Sequence, residues 1–194
     1  ADAVTLASAG VLSGDTVNFT GTGSFLNKNV GTAKAVGVSG IAASGADAGN
    51  YSYNTTANTT ADITAKTITV DAIGADKVYD GSTAATIAAL GTTGLVAGDA
   101  VTFGNASAAF ADKNAGSNKA VAVSGITASG ADAGNYSYNT TTNTTADISQ
   151  LGINVDATGT NRVYDGSTAD AVTLASAGVL SGDTVNFTGT GSFL

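Results

Sequence analysis

Residues Ala1–Leu26 read ADAVTLASAGVLSGDTVNFTGTGSFL, and the same letters return at Ala169–Leu194, 168 residues on. A weaker copy lies between them. The Gly-Asp pair that precedes an alternating apolar stretch recurs at Asp15, Asp99 and Asp183, and the aromatic after it at Phe19, Phe103 and Phe187. GADAGNYSYN occupies Gly45–Asn54 and Gly130–Asn139; VYDGST occupies Val78–Thr83 and Val163–Thr168. The order is therefore A-B-A, with a two-repeat unit of 168 residues. A fixed period of this size marks a tandem array in which each repeat is one small structural unit. The expected division is a partial repeat over 1–66, a complete repeat over 67–150 and a partial repeat over 151–194. Both ends share one phase inside a repeat, as expected of a window cut from a longer array.

Within a repeat the apolar residues alternate. Ile68 and Val70, Val101 and Phe103, Val121 and Val123, and Tyr136 and Tyr138 each place two side chains on one face of an extended chain. Thr, common between and around them, suits the outer face of a half-buried strand. Gly, Asn and Asp clusters punctuate these stretches, and no apolar period of 3.6 survives three turns. The expected fold is all-β: a tandem array of small immunoglobulin-like β-sandwich modules, each of roughly seven short strands. β-Grasp-like modules and a β-solenoid are the structural rivals, and Ala7–Leu12 could form one helical turn. The expected core of the middle repeat is Val78, Leu90, Val101, Phe103, Phe110, Val121, Val123, Ile126, Tyr136, Tyr138 and Ile148.

Composition excludes most chemistry. The 194 residues contain no His, Cys, Met, Trp or Pro, and all 15 acidic residues are Asp. No imidazole base, thiolate or Glu is available to activate a hydroxyl, so no catalytic residue and no enzyme is expected. A disulfide framework and a His/Cys metal site are likewise excluded. The net charge of −8 argues against nucleic acid, which requires a basic footprint. No apolar run is long enough to insert as a membrane helix.

The order Lys77-Val78-Tyr79-Asp80-Gly81-Ser82-Thr83, Gly98-Asp99, Asp112-Lys113-Asn114-Ala115-Gly116 and Gly130-Ala131-Asp132-Ala133-Gly134-Asn135-Tyr136 resembles the YDG-type repeat. Lys28-Asn29-Val30-Gly31 and Arg162-Val163-Tyr164-Asp165-Gly166 match the same pattern in the flanking copies. Such repeats occur in tandem in very large bacterial surface and secreted proteins of the filamentous haemagglutinin-like kind. The resemblance implies an extracellular stalk or fibre at the bacterial surface, with no catalytic residues to carry over. The implied partners are neighbouring repeats of the same chain, with homotypic lateral assembly into filaments as a further expectation. The alternative function is an adhesive module for glycans or a host surface.

Each remaining motif has a structural reading. In YDG, Asp80 is expected to bond its own backbone two residues on, Gly81 to supply a positive φ, and Tyr79 to anchor the turn. Asp47, Asn50, Asp132 and Asn135, with Asp15 and Asp99, are the weak Ca²⁺ candidates, because hard oxygens are the right ligand type. Turn formation is the favoured role, and no cofactor is expected. Lys28-Asn29 and Lys113-Asn114 raise a Lys–Asn cross-link, though sequence neighbours point to opposite sides of a strand. The links between repeats, Thr64–Thr67 and Ser149–Gly152, can span at most about 14 Å. Neither is a flexible Gly/Ser run, so stiff junctions are expected.

Overall fold

The computed structural model describes residues 4–193. It is all-β: among these residues helix is confined to two single turns of 3₁₀ type, Ala48–Asn50 and Ala133–Asn135. The segment Ala7–Leu12 carries a turn at Ala9-Gly10 and no helix. Many small sheets take the place of one large one. The chain divides into two compact units. One holds the residues up to Ile68 together with Gly94–Thr102 and Ala128–Tyr138; the other holds Thr69–Thr93, Phe103–Thr127 and the chain from Asn139 onward.

In the first unit, Asn18–Phe25, Gly31–Ser44 and Ala57–Ile63 form an antiparallel sheet with Gly31–Ser44 in the middle. Val36, Val38 and Ile41 of that central strand are buried, and Val4, Leu6, Phe19, Phe25, Ala57 and Ala61 pack on them. The parity change from 38 to 41 has a local cause. Gly40 has φ +66, and the pairing with Asn18–Phe25 slips a residue at this point. A bulge of this kind returns the following residue to the same face.

The second unit repeats the device. Thr141–Ser149 lies between Gly116–Ser124, antiparallel, and the short Lys77–Val78, parallel; Ser107–Phe110 closes the far edge. Val121 and Val123 are buried, Gly125 follows with φ +66, and Ile126 is again buried. A Cβ on Gly125 would stand 2.5 Å from that of Ala106, so a side chain there is excluded twice over. Phe110, Ala146, Ile148 and Val70 complete this core. Burying one such Val or Ile side chain contributes about 1.5–3 kcal/mol. The hairpin Thr69–Ala75/Thr86–Thr93 approaches the sheet closely at Gly74, where a Cβ would lie 2.7 Å from the Thr145 carbonyl oxygen.

Six of the eleven expected core residues are fully buried: Phe110, Val121, Val123, Ile126, Tyr136 and Ile148. Leu90, Val101, Phe103 and Tyr138 are half-buried. Val78 is a correction, being 53% exposed. Its neighbours Lys77 and Tyr79 turn inward, and alternation sends Val78 outward. The expected single core is also divided. Val101, Tyr136 and Tyr138 belong to the first unit, in company with the preceding repeat.

Candidate functional site

The GADAGNY segment is a clamp on the Gly-Asp loop. Ala100 N–H donates to Asp132 Oδ2 (2.9 Å), and Asp132 N–H donates to the Ala100 carbonyl (3.2 Å). Gly130 lies at φ +113, and a Cβ there would stand 2.3 Å from the Ala100 oxygen. Only glycine permits the two backbones to come so near. Tyr136 OH donates to Asp99 Oδ2 (2.7 Å) and accepts from Val96 N–H (2.9 Å). The first repeat has the same arrangement. Thr16 N–H donates to Asp47 Oδ2 (2.8 Å), and Tyr51 OH donates to Asp15 Oδ2 (2.5 Å) while accepting from Leu12 N–H (3.0 Å). Each tyrosine thus reads both ends of one loop, and donation to an aspartate raises the phenol pKa of Tyr51 and Tyr136.

The middle repeat adds a lysine from the repeat before it. Lys28 Nζ lies 2.5 Å from Asp99 Oδ1 and 2.8 Å from Asp132 Oδ1. The two carboxylates are 7% and 14% exposed, whereas the lysine is 64% exposed. The hydrogen bonds to Asp132 and then Asp99 push the Lys28 ammonium well above its ordinary value. Both aspartates are lowered, chiefly by Lys28, with Tyr136 assisting at Asp99 and Ala100 N–H at Asp132. Because Lys28 stays largely in water, its charge is screened, and the contact fixes geometry more than it supplies energy. Val30 N–H donates to Asn135 Oδ1 (2.9 Å), so Lys28-Asn29-Val30 is laid along the GADAGN turn.

The second unit contains a related contact. Lys113 Nζ lies 2.6 Å from Asp183 Oδ1, and Tyr79 OH donates to Asp183 Oδ2 at 2.7 Å. The Lys113 ammonium sits 5.7 Å from the Tyr79 ring centre, within cation–π range. Asp183 is lowered, first by Lys113 and then by Tyr79. Tyr79, Leu151, Ile153, Leu180 and Val185 line an open cavity of about 440 Å³ beside it. The YDG turn itself is built as its residues imply. Ser82 N–H donates to Asp80 Oδ1 (2.9 Å), Gly81 has φ +79, and Lys77 ties Asp80 to the Ser82 and Ala84 carbonyls. Lys77 is the main cause that depresses the Asp80 pKa to about 2.

Of the Ca²⁺ candidates, Asp47, Asp132 and Asn135 take part in the turn and clamp contacts through their side chains. Asp47 and Asp132 receive backbone N–H groups, Asn135 receives Val30, and Asn50 N–H donates to the Asp47 carbonyl. The structure brings Asp99 and Asp132 together around Lys28; among the described residues no group of three or more Asp suited to a metal ion occurs. The lysines join Asp99 and Asp183, with Asn29 and Asn114 bonded elsewhere. Sequence reasoning missed this pairing by looking beside each lysine. The available signal was long-range: Lys28 and Lys113 share one repeat phase, as do Asp99 and Asp183.

A family model, the YDG domain, matches residues 1–60 and again 64–146. The chain belongs to the YDG domain family. No curated protein and no solved structure matches it. The two matches are separated by Ala61–Ile63: Lys28 lies in the first, and Tyr79, Asp99, Lys113 and Asp132 lie in the second.

Proposed function

We propose that this YDG chain is a stalk or fibre segment of a large bacterial extracellular, adhesin-like protein. It has no enzymatic role; it transmits length and stiffness. The finer fold in this reading is a tandem array of immunoglobulin-like sandwiches, and the approach of the Thr69–Ala75 hairpin to the four-stranded sheet supports it. The observation that carries the functional reading is interleaving. Gly94–Thr102 and Ala128–Tyr138, both from the middle repeat, fold into one compact unit with the first repeat, and Lys28 fastens the two. A repeat that lends segments to its neighbour resists bending at the junction more than beads on a four-residue string. Stability would then be shared between neighbours along the array. Filament formation by lateral pairing of copies at the cell surface belongs to the same reading.

Small-angle scattering on chains of two, four and six repeats tests it. Maximum dimension should rise linearly with repeat number, and Lys28→Ala with Lys113→Ala should bend the line downward. Square-root growth in the unsubstituted chains, as for a flexible coil of beads, rejects the stalk.

A further inference from the structure

We propose that Lys28 and Asp99 close a covalent isopeptide bond, with Asp132 as the proton carrier, so that the first repeat is joined to the middle repeat through side chains. The bond goes beyond the stalk reading and does not depend on it.

The geometry holds each group that amide formation needs. Lys28 Nζ is the nucleophile, 2.5 Å from Asp99 Oδ1. Asp99 is the acceptor carboxyl. It is the more buried of the two acids, at 7% exposed, and Tyr136 OH donates to its Oδ2 at 2.7 Å. That donor faces the oxygen on which negative charge collects when nitrogen adds to Cγ. Asp132 is the second acid. Its Oδ1 lies 2.8 Å from the same Nζ, and Ala100 N–H holds its Oδ2 at 2.9 Å. One oxygen is thus anchored, and the other is aimed at the nitrogen whose protons must move.

The reaction balances within this cluster. Lys28 starts as an ammonium and both acids as carboxylates. Nζ gives one proton to Asp132, which hands it to Asp99 Oδ1, and the amine adds to Cγ. A second proton follows the same route, and the Cγ–Oδ1 bond breaks. The Nζ–Cγ bond has then formed, Oδ1 has left as water, one hydrogen stays on the amide nitrogen, and Asp132 is a carboxylate again. The amine and the carboxylic acid together carry the same protons as the ion pair, so none is drawn from solvent. Hydrogen bonds hold Lys28 charged, so the first transfer is uphill and closure is slow. What drives it is proximity, since the fold keeps the reacting groups in contact throughout. Closure also replaces a charged pair at a nearly buried acid by one neutral amide, which ends the desolvation cost of that charge. The ion pair is the unreacted state, and its titration belongs to that state.

The pattern recurs in the second unit. Lys113 Nζ lies 2.6 Å from Asp183 Oδ1, and Tyr79 OH donates to Oδ2 at 2.7 Å. A lysine on one oxygen and a tyrosine on the other is therefore a repeated arrangement, met by a different tyrosine each time. The 194 residues contain no Cys, so a disulfide is not available to them. An amide between Lys28 and Asp99, 71 residues apart, would hold Gly94–Thr102 to the first repeat after the hydrogen bonds around it had opened.

Mass spectrometry of the whole 194-residue chain tests this. The closed chain should weigh about 18 Da less than its sequence, the mass of one water. Trypsin should fail to cut after Lys28 and should release residues 1–34 joined to residues 78–113 as one branched peptide, with the junction at Asp99. In chains sampled over time after cell-free synthesis, Asp132→Asn should slow closure about a hundredfold, because the amide still receives Ala100 N–H but carries no proton. Tyr136→Phe keeps the packed ring and loses the hydroxyl, and should slow closure by about the same factor. It guards against an Asp132→Asn chain that fails to fold. Three results overturn the proposal: full sequence mass with Lys28 cut by trypsin, a junction at Asp132 in place of Asp99, or closure in both variants as fast as in the parent chain.

Discussion

Val4–Phe25 and Val172–Phe193 are the same sequence in two different structures. In the first copy, Asn18–Phe25 is an eight-residue strand paired with Gly31–Ser44. In the third, the equivalent stretch has only Gly191–Ser192 in a ladder, and the neighbour is Ala169–Asp170. Val172–Ala175 forms a strand against Asp156–Gly159, whereas its counterpart at Val4–Ala7 forms none. A Thr- and Gly-rich stretch carries little intrinsic preference, so the strand forms where a partner edge and an apolar face are both present. Burial follows the same rule. Phe25 packs on the Val36/Val38/Ile41 cluster, whereas Phe193 is 53% exposed with Arg162 over its ring at 5.2 Å.

The most severe test of this contrast is a matched pair of substitutions. Phe25→Ala should cost about 3 kcal/mol, the lower end of the range for a packed Phe. Phe193→Ala should cost less than about 1 kcal/mol, the worth of an exposed cation–π contact. Denaturant unfolding monitored separately in each unit reads both values, and equal losses would show that the two copies are packed alike.

A smaller contrast lies in two positive-φ glycines. Gly130→Ala, at φ +113 with the Ala100 oxygen in the way, should cost more than 2 kcal/mol, since the left-handed penalty is already about 1–2 kcal/mol. Gly166→Ala, at φ +77 with open space around its Cβ, should cost about 1 kcal/mol. If the two are equal in thermal unfolding, the close approach at Gly130 has no energetic weight.

The clasps add a pH dependence. Asp99, Asp132 and Asp183 titrate below the ordinary carboxylate value of 3.8, chiefly because of Lys28 or Lys113. Their contribution is fully present above that value and fades as pH falls through the lowered ones. Lys28 and Lys113 are raised above 10.5, so their contribution holds below that pH and is lost well above it. The melting temperature should be level from about pH 5 to 9 and fall in acid. Asp99→Asn with Asp183→Asn should flatten the acid limb; an unchanged limb would assign it to other carboxylates.

The smallest effect expected is a gain. Ala33 and Asn118 occupy the same bulge in successive repeats, at φ 48 and φ 52. Their N–H groups donate to Asp62 and Asp147, each at 2.7 Å. Asn tolerates this conformation and Ala does not, so Ala33→Asn should stabilise the first unit by up to about 1 kcal/mol. Hydrogen exchange in Gly31–Ser44 would report it, and faster exchange would show that the bulge carries no strain.

The sequence by itself determined the period, the all-β class and the membership of strand faces. Val121, Val123 and Ile148 are legible as core because alternation is a local property of the backbone, whereas Ile126 reaches the same face only past the positive-φ Gly125. The YDG turn was equally legible, since Asp80 and Gly81 act within two residues of themselves. Tertiary structure decided everything that depends on a partner distant in sequence. It placed Tyr136 in a unit with the preceding repeat, sent Lys28 across 71 residues to Asp99, and left Leu12 bare while covering Leu180. The physical reason is that a side chain's alternation fixes which way it points, but only the fold fixes what stands there. Asp15 and Asp183, identical in their local sequence, therefore meet different neighbours.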